Sequence, residues 1–264
     1  MLRGGILLTA RAMNIQDVRL SFSSLKQFSR SPAHWVMYKK REYKQSAAMR
    51  RGWLTHLLTL EPEKQIGLQI IDCQTRATKA YKEAVAEFGE DKVFTRKEYE
   101  EALNLAESVM ANPLANKLIT EATSVEDYLQ FSLDGVKFHG YADVVGKDYI
   151  ADLKITDNEP RKVQRWVLDN LYHMQLALYA HAVFNSKAEI KHYLITCDPN
   201  PPNGVIVYEI SLEMAQDGFN RARLEVQMFK DWYRGWNGKD IPKSYDYLEP
   251  LNKPMLLELP TWYK

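Results

Sequence analysis

A chain of 264 residues, 45% of them hydrophobic, is long enough to bury a sizeable core. Its 35 Lys and Arg against 34 Asp and Glu leave a formal charge of +1, which excludes a global field able to hold it on a polyanion, so any nucleic-acid contact must come from a local patch. Two cysteines, Cys73 and Cys197, exclude a disulfide framework and a four-cysteine metal or cluster site, and they predict reduced thiols in a cytoplasmic protein.

Along the chain, Ile6-Leu7-Leu8 is too short to span a bilayer and precedes no cleavage site, so neither a signal peptide nor a membrane helix is expected. Met13 reads as the natural start, with residues 1–12 a loose extension of one domain spanning 1–264. Ser21 opens a helical stretch carrying Leu25, Phe28, Trp35 and Tyr38, broken at Ser31-Pro32 into two short helices. A further helix runs from Met49 to Leu60 before Pro62 and sets Gly52 and His56 on one face. Residues 95–119 form the next helical region, opened by a Thr95 and Glu98 capping box.

The period then falls to about two. Val125 to Leu133, an Asp134-Gly135 turn, Val136 to Val145 and Tyr149 to Ile155 predict a three-stranded antiparallel meander. A long helix from about Val163 to Phe184 follows, then strands His192 to Thr196 and Val205 to Ile210, and a helix from Leu212 to Gly235. The sum is an α/β domain with a mixed central sheet flanked by helices, its motifs within residues 20–182 and further strands and a helix over 185–264.

The meander carries the chemistry. Asp143 lies near the end of one strand, and Asp152 and Lys154 share a face of the next at i, i+2 spacing. Two carboxylates and an ammonium in that relation suit metal-assisted phosphodiester cleavage: hard oxygen ligands for Mg²⁺, and a cation to orient the attacking water and steady developing negative charge.

Asp143 followed by Ile150-Ala151-Asp152-Leu153-Lys154 resembles the D…(D/E)-x-K signature of the PD-(D/E)xK nucleases. Gly52-Trp53-Leu54-Thr55-His56 with Leu60-Glu61-Pro62-Glu63 is similar to the helix motif of their exodeoxyribonuclease VIII (RecE-like) branch. Gln175-Leu176-Ala177-Leu178-Tyr179 is similar to the Q-x-x-x-Y motif of RecB-type and RecE-like enzymes, and Ser21-Phe22-Ser23-Ser24-Leu25 with Ser31-Pro32-Ala33-His34 to their helical entry. The resemblance implies a restriction-endonuclease-like core and an Mg²⁺-dependent exodeoxyribonuclease, Mn²⁺ substituting, that digests one strand from double-stranded DNA ends for a single-strand annealing recombination partner.

It further implies that Asp143 and Asp152 hold the metal, with the Leu153 carbonyl and His56 in or beside the shell and Lys154 assisting the nucleophilic water. Glu126 is the expected extra carboxylate, Glu121 its alternative; Gln175 and Tyr179 contact the DNA backbone or brace the catalytic strand. A second acid that is Asp rather than Glu shortens the reach to the metal by one methylene. The competing readings are a nuclease subunit of a helicase-nuclease or CRISPR-adaptation-type complex, and a non-catalytic DNA-binding module on the same fold. No GxxxxGK[ST] is present, so a motor would be a separate chain.

Lys39, Lys40, Arg41, Lys44, Arg50 and Arg51, interleaved with Tyr38 and Tyr43, form the candidate DNA-backbone patch. Phe229, Trp232, Tyr233 and Trp236 recur at helical spacing, which favours packing or subunit contact over base stacking. A small net charge with one short basic patch, together with the toroidal form of the resembling enzymes, predicts a homo-oligomeric ring, trimer or tetramer, with contacts on helix 219–236 and the tail Met255 to Leu259.

Overall fold

The computed structural model describes residues 14–42, 44–185 and 190–242, so Tyr43, the extension 1–12 and the tail 255–259 lie outside the described residues. Helices α1 (Phe22–Arg30) and α2 (Pro32–Lys40) meet at Ser31, which caps the second through its side chain, so the predicted break at Ser31-Pro32 is borne out. Helix α3 (Ala47–Leu60) buries Leu54, Leu57 and Leu58 against Phe94, Ala102 and Ala106.

Residues 96–120 form two helices, α5 (Arg96–Ala111) and α6 (Pro113–Thr120), rather than one. Pro113 lacks the N–H needed to continue a helix, and the Asn112 side chain caps the new start. The Thr95 and Glu98 capping box is present. Between α3 and α5 the chain adds β2 (Gln69–Ile71), α4 (Lys79–Phe88) and β3 (Val93–Thr95), with β2 and β3 paired in parallel as a small separate sheet.

The main sheet contains β1 (Arg19–Leu20), β4 (Ser124–Leu133), β5 (Val136–Val145), β6 (Tyr149–Ile155), β7 (Lys191–Cys197) and β8 (Val205–Ile210). The antiparallel meander β4-β5-β6 continues into β7 parallel to β6 and β8 antiparallel to β7, so the sheet is mixed. Asp134 and Gly135, both at positive φ, make the tight turn between β4 and β5.

After β6 the predicted long helix divides at Leu171, which takes φ 58°, into α7 (Val163–Asp169) and α8 (Tyr172–Phe184). Helix α8 packs with α9 (Leu212–Gly235), α1 and α2 over one face of the sheet. Helices α5 and α6 cover the other face, around Val144, Ala151, Leu153 and Ile195. Gly218 lets α9 approach α8, because a Cβ there would sit 2.6 Å from the His173 carbonyl oxygen.

The aromatic residues of α9 pack inside the chain. Trp35 meets Phe229, Trp232 and Trp236 with ring centroids 5.2, 5.7 and 5.7 Å apart, the packing role that helical spacing allowed for this cluster.

Arg50 also departs from expectation. It is only 2% exposed; its guanidinium donates to the carbonyls of Glu90 and Val93 at 2.7 Å and lies 4.4 Å from the Phe94 ring centroid. Arg50 therefore pins α3 to β3 and cannot touch DNA. Removing it takes the guanidinium from the Glu90 carbonyl and leaves a cavity against Phe94, while the Val93 carbonyl keeps the Tyr81 hydroxyl and Glu98 keeps Arg76. Arg50→Ala should cost about 3 kcal/mol or more in denaturant unfolding, and Arg50→Lys most of that, because an ammonium cannot reproduce the planar fork; an unchanged midpoint would refute this role.

Candidate active site

Strand β5 is paired along one edge with β4, while its other edge is shared by β1 at Lys137 and Phe138 and by β6 only at Val144 and Val145. The pairing Val144 with Ala151 places Asp143 opposite Asp152, and there β5 and β6 part. On the other side, the pairs Val125 with Val144 and Asp127 with Ala142 place Glu126 opposite Asp143. Glu126, Asp143 and Asp152 thus occupy one row across three neighbouring strands.

Carboxylates on directly opposed strand positions repel, and the backbone departs from regularity on both sides of Asp143. Glu126 leaves the ladder with φ 47°, a left-handed conformation that a Glu rarely adopts and that costs on the order of 1–3 kcal/mol. At the fork, the Asp143 carboxylate accepts the Leu153 backbone N–H at 2.7 Å, satisfying a buried donor that the departing strand would leave unpaired.

Helix α3 brings His56 onto this row. Its Nδ1 lies 3.4 Å from Glu126 and 3.6 Å from Asp143, while Nε2 lies 2.9 Å from the Leu153 carbonyl oxygen. Both ring nitrogens face acceptors, an arrangement that a doubly protonated imidazolium satisfies. Burial alone would lower the His56 pKa, but Asp143 and the hydrogen bond to Glu126 outweigh it and hold it above the ordinary 6.5.

His56, Glu126 and Asp143 offer ligand atoms within 4.8 Å of one another, the one such grouping among the described residues. A histidine and two carboxylates whose local cation is only a proton fit a divalent metal. Glu121, exposed beyond the end of α6, is not part of the row, so Glu126 is the carboxylate that joins it.

Asp152 belongs to a second, adjoining group. It pairs closely with Lys154, and its other oxygen accepts from Gln175 Nε2 at 3.0 Å. Burial, with Asp143 nearby, pushes Asp152 up to about 6 against the pull of Lys154. Burial works to neutralise Lys154, yet Asp152 and Asp143 hold it above the usual lysine range, so it stays an ammonium. It also lies 5.1 Å from the Tyr172 ring centroid, and Lys26 stands 5.2 Å from the same ring, bonded to Asn170.

Tyr179, one helical turn after Gln175, is buried against β5: a Cβ on Gly140 would collide with its ring and hydroxyl. Gln175 thus holds Asp152, and Tyr179 packs on the strand that bears Asp143.

The row opens on a cleft of about 640 Å³ lined by His56, Glu126, Asp143, Gly52 and Lys64. Lys39, Lys40 and Arg41 are exposed at the end of α2 but do not line it; Lys40 donates to the Lys239 carbonyl and Arg41 stacks on Tyr38. Arg51 is half-buried beside Arg50, in a small pocket with Phe94 and Glu98.

A family model described as "PDDEXK-like domain of unknown function (DUF3799)" matches residues 21–244. The chain belongs to this PDDEXK-like family. No curated protein matches the sequence. Among solved structures, a protein from Eubacterium rectale provisionally named an exonuclease aligns over 96% of this chain and 97% of its own, at 14% identity and a TM-score of 0.59. The protein SSO0001 aligns over 75% of this chain and 86% of its own at 16% identity, with a TM-score of 0.28 that carries no weight. The PDDEXK-like family and the mixed sheet with flanking helices place the chain in the PD-(D/E)xK nuclease superfamily with a restriction-endonuclease-like fold.

The raised pKa values of Asp152 and His56 act on stability in one direction. Both groups bind protons more tightly folded than unfolded, so the metal-free protein should lose stability as pH rises from near 3.8, through about 6 for Asp152, to above 6.5 for His56. Urea midpoints should fall between pH 5 and pH 8 in chelator and recover with an excess of divalent cation; a flat profile would contradict the charge balance. Gly140→Ala should displace Tyr179 and cost about 1–3 kcal/mol, read as a lowered melting temperature, and Tyr179→Phe in the same chain should recover part of it.

Proposed function

We propose that the protein is a metal-dependent DNA exonuclease acting on one strand of linear duplex DNA. The observation that carries the reading is the row Glu126, Asp143 and Asp152 at the fork of β5 and β6, with His56 and Lys154 against it. His56, Glu126, Asp143 and Asp152 would hold the metal, together with the Leu153 carbonyl. When bound, a hard cation such as Mg²⁺, for which Mn²⁺ can substitute, polarises a phosphate oxygen and acidifies a coordinated water.

The chain's own groups do the rest. Lys154, kept protonated by two carboxylates, sits as a fixed positive charge for the pentacovalent phosphate and for orienting the attacking water. Gln175 holds Asp152 in place, and Tyr179 against Gly140 keeps β5 from shifting. His56, on giving up its proton, frees a nitrogen toward Glu126 and Asp143.

End-dependent action accords with the provisional name of the Eubacterium rectale protein. A ring of subunits retains its physical motive, a net charge of +1 that makes a lone monomer leave DNA readily. An annealing partner would receive the exposed strand, and the cytoplasm would be the site of action.

Linear and closed circular duplex incubated with Mg²⁺, with Mn²⁺ and with chelator test the proposal. Linear DNA should be degraded with either ion, circular DNA spared, and chelator should stop the reaction. Asp143→Ala, Asp152→Ala and Lys154→Ala should each lower the rate by about 1,000-fold or more, because the groups act as a unit, and His56→Ala by less. Near wild-type turnover in Lys154→Ala, or cutting in excess chelator, would overturn the assignment.

A further inference from the structure

The acidic cleft holds two large, exposed aromatic rings. Trp53 is 41% and Tyr141 55% exposed, and both line the cleft that contains His56, Glu126 and Asp143. Each stands one structural repeat from a member of the acidic site. Trp53 precedes His56 by three residues on α3, and Tyr141 precedes Asp143 by two on β5, so helical and strand periodicity place each ring on the side of its neighbour.

Both rings are backed by another. Trp53 stacks on Phe94 with centroids 5.8 Å apart and planes 6° from parallel, and Tyr141 leans on Tyr128 at 5.0 Å and 43°. A ring supported in this way has little rotamer freedom left to lose when a ligand covers its remaining surface. Isolated exposed aliphatic residues are ordinary, but two supported aromatics beside one charged site are not.

The occupant follows from charge. The carboxylates of the cleft, Glu61, Glu126 and Asp143, are offset only by Lys64, which is paired with Glu61, and by His56, so charge gives a phosphate strand little hold there before a cation binds, and the strand needs an attraction that does not depend on its charge. The uncharged π-face of a nucleobase supplies one, irrespective of base identity, provided the base is not enclosed in a duplex stack. We propose that Trp53 and Tyr141 form a stacking platform for unpaired bases of the strand being cut, which therefore enters the cleft single-stranded at its end. This rests on the nuclease reading above and adds the substrate form and the residues that select it.

Binding measured by fluorescence anisotropy in Ca²⁺, with a short oligothymidylate and an abasic oligomer of equal length, tests the proposal. The wild-type chain should prefer the oligothymidylate by about 5- to 100-fold, the range stacking spans. Trp53→Ala and Tyr141→Ala should each remove most of that preference while leaving abasic affinity, and Mn²⁺ binding followed by electron paramagnetic resonance, unchanged. Trp53→Phe should restore it. Tyr141 is the more exposed residue, so its variant reports even where loss of Trp53 loosens α3. Equal wild-type affinity for the two oligomers, or equal loss on both in the variants, overturns the platform; if duplex ends are still degraded, the nuclease reading stands without it. A wild-type chain that holds Mn²⁺ but neither binds an oligomer nor degrades duplex ends overturns both.

Discussion

Three carboxylates set side by side across neighbouring strands are the constraint around which this molecule is arranged. Glu126, Asp143 and Asp152 fall at one level of β4, β5 and β6, where like charges in a buried sheet repel strongly. The departures from a regular sheet occur at that level. Strand β6 parts from β5 after two registered pairs, Glu126 turns to positive φ, and a side chain replaces a backbone group as the partner of Leu153 N–H. A sheet with no site to build would continue its ladder with apolar residues.

The cations balance this row asymmetrically. Lys154 serves Asp152, while His56 serves Glu126 and Asp143. Three potential negative charges face two potential positive ones, and one of the two is a histidine whose proton is readily exchanged near neutral pH. The family to which the chain belongs and the divalent-metal fit of these donors point the same way. The site is thus charge-matched for a doubly positive ion that displaces a proton.

The scaffold around the row is apolar and specific. Helix α8 is re-aimed by the left-handed Leu171, so that Gln175 reaches Asp152 and Tyr179 reaches Gly140. Helix α3, which carries His56, is tied down by Arg50 through two carbonyls beside β3. The aromatic face of α9 locks α1 and α2 over the same side of the sheet as α8. Residues that resemble a DNA-binding patch or a subunit seam in one dimension are in part the fasteners of the fold.

Periodicity and local chemistry were enough to determine the main strands, the Ser31 and Thr95 caps, the Asp134-Gly135 turn and the pairing of Asp152 with Lys154, because each depends on residues within a few positions of one another. The motif order likewise pointed to His56 and Glu126 as companions of Asp143. The short strands β1 to β3 were not legible, since two or three residues carry no period and only a partner elsewhere in the chain makes them strands; helix α4 did carry local signals, the Thr78 cap and the Gly89 stop. The burial of Arg50 was equally hidden: charge predicts solvent until Phe94, Glu90 and Val93 are brought around it from forty residues away. Trp53 and Tyr141 had a signal, their spacing from His56 and Asp143, but a ring at such spacing is core or surface depending on what packs over it. Sequence thus determined which groups are available and on which local face; tertiary structure alone decided which meet, because opposed register, burial and the sharing of one counter-charge are properties of chain segments distant in sequence.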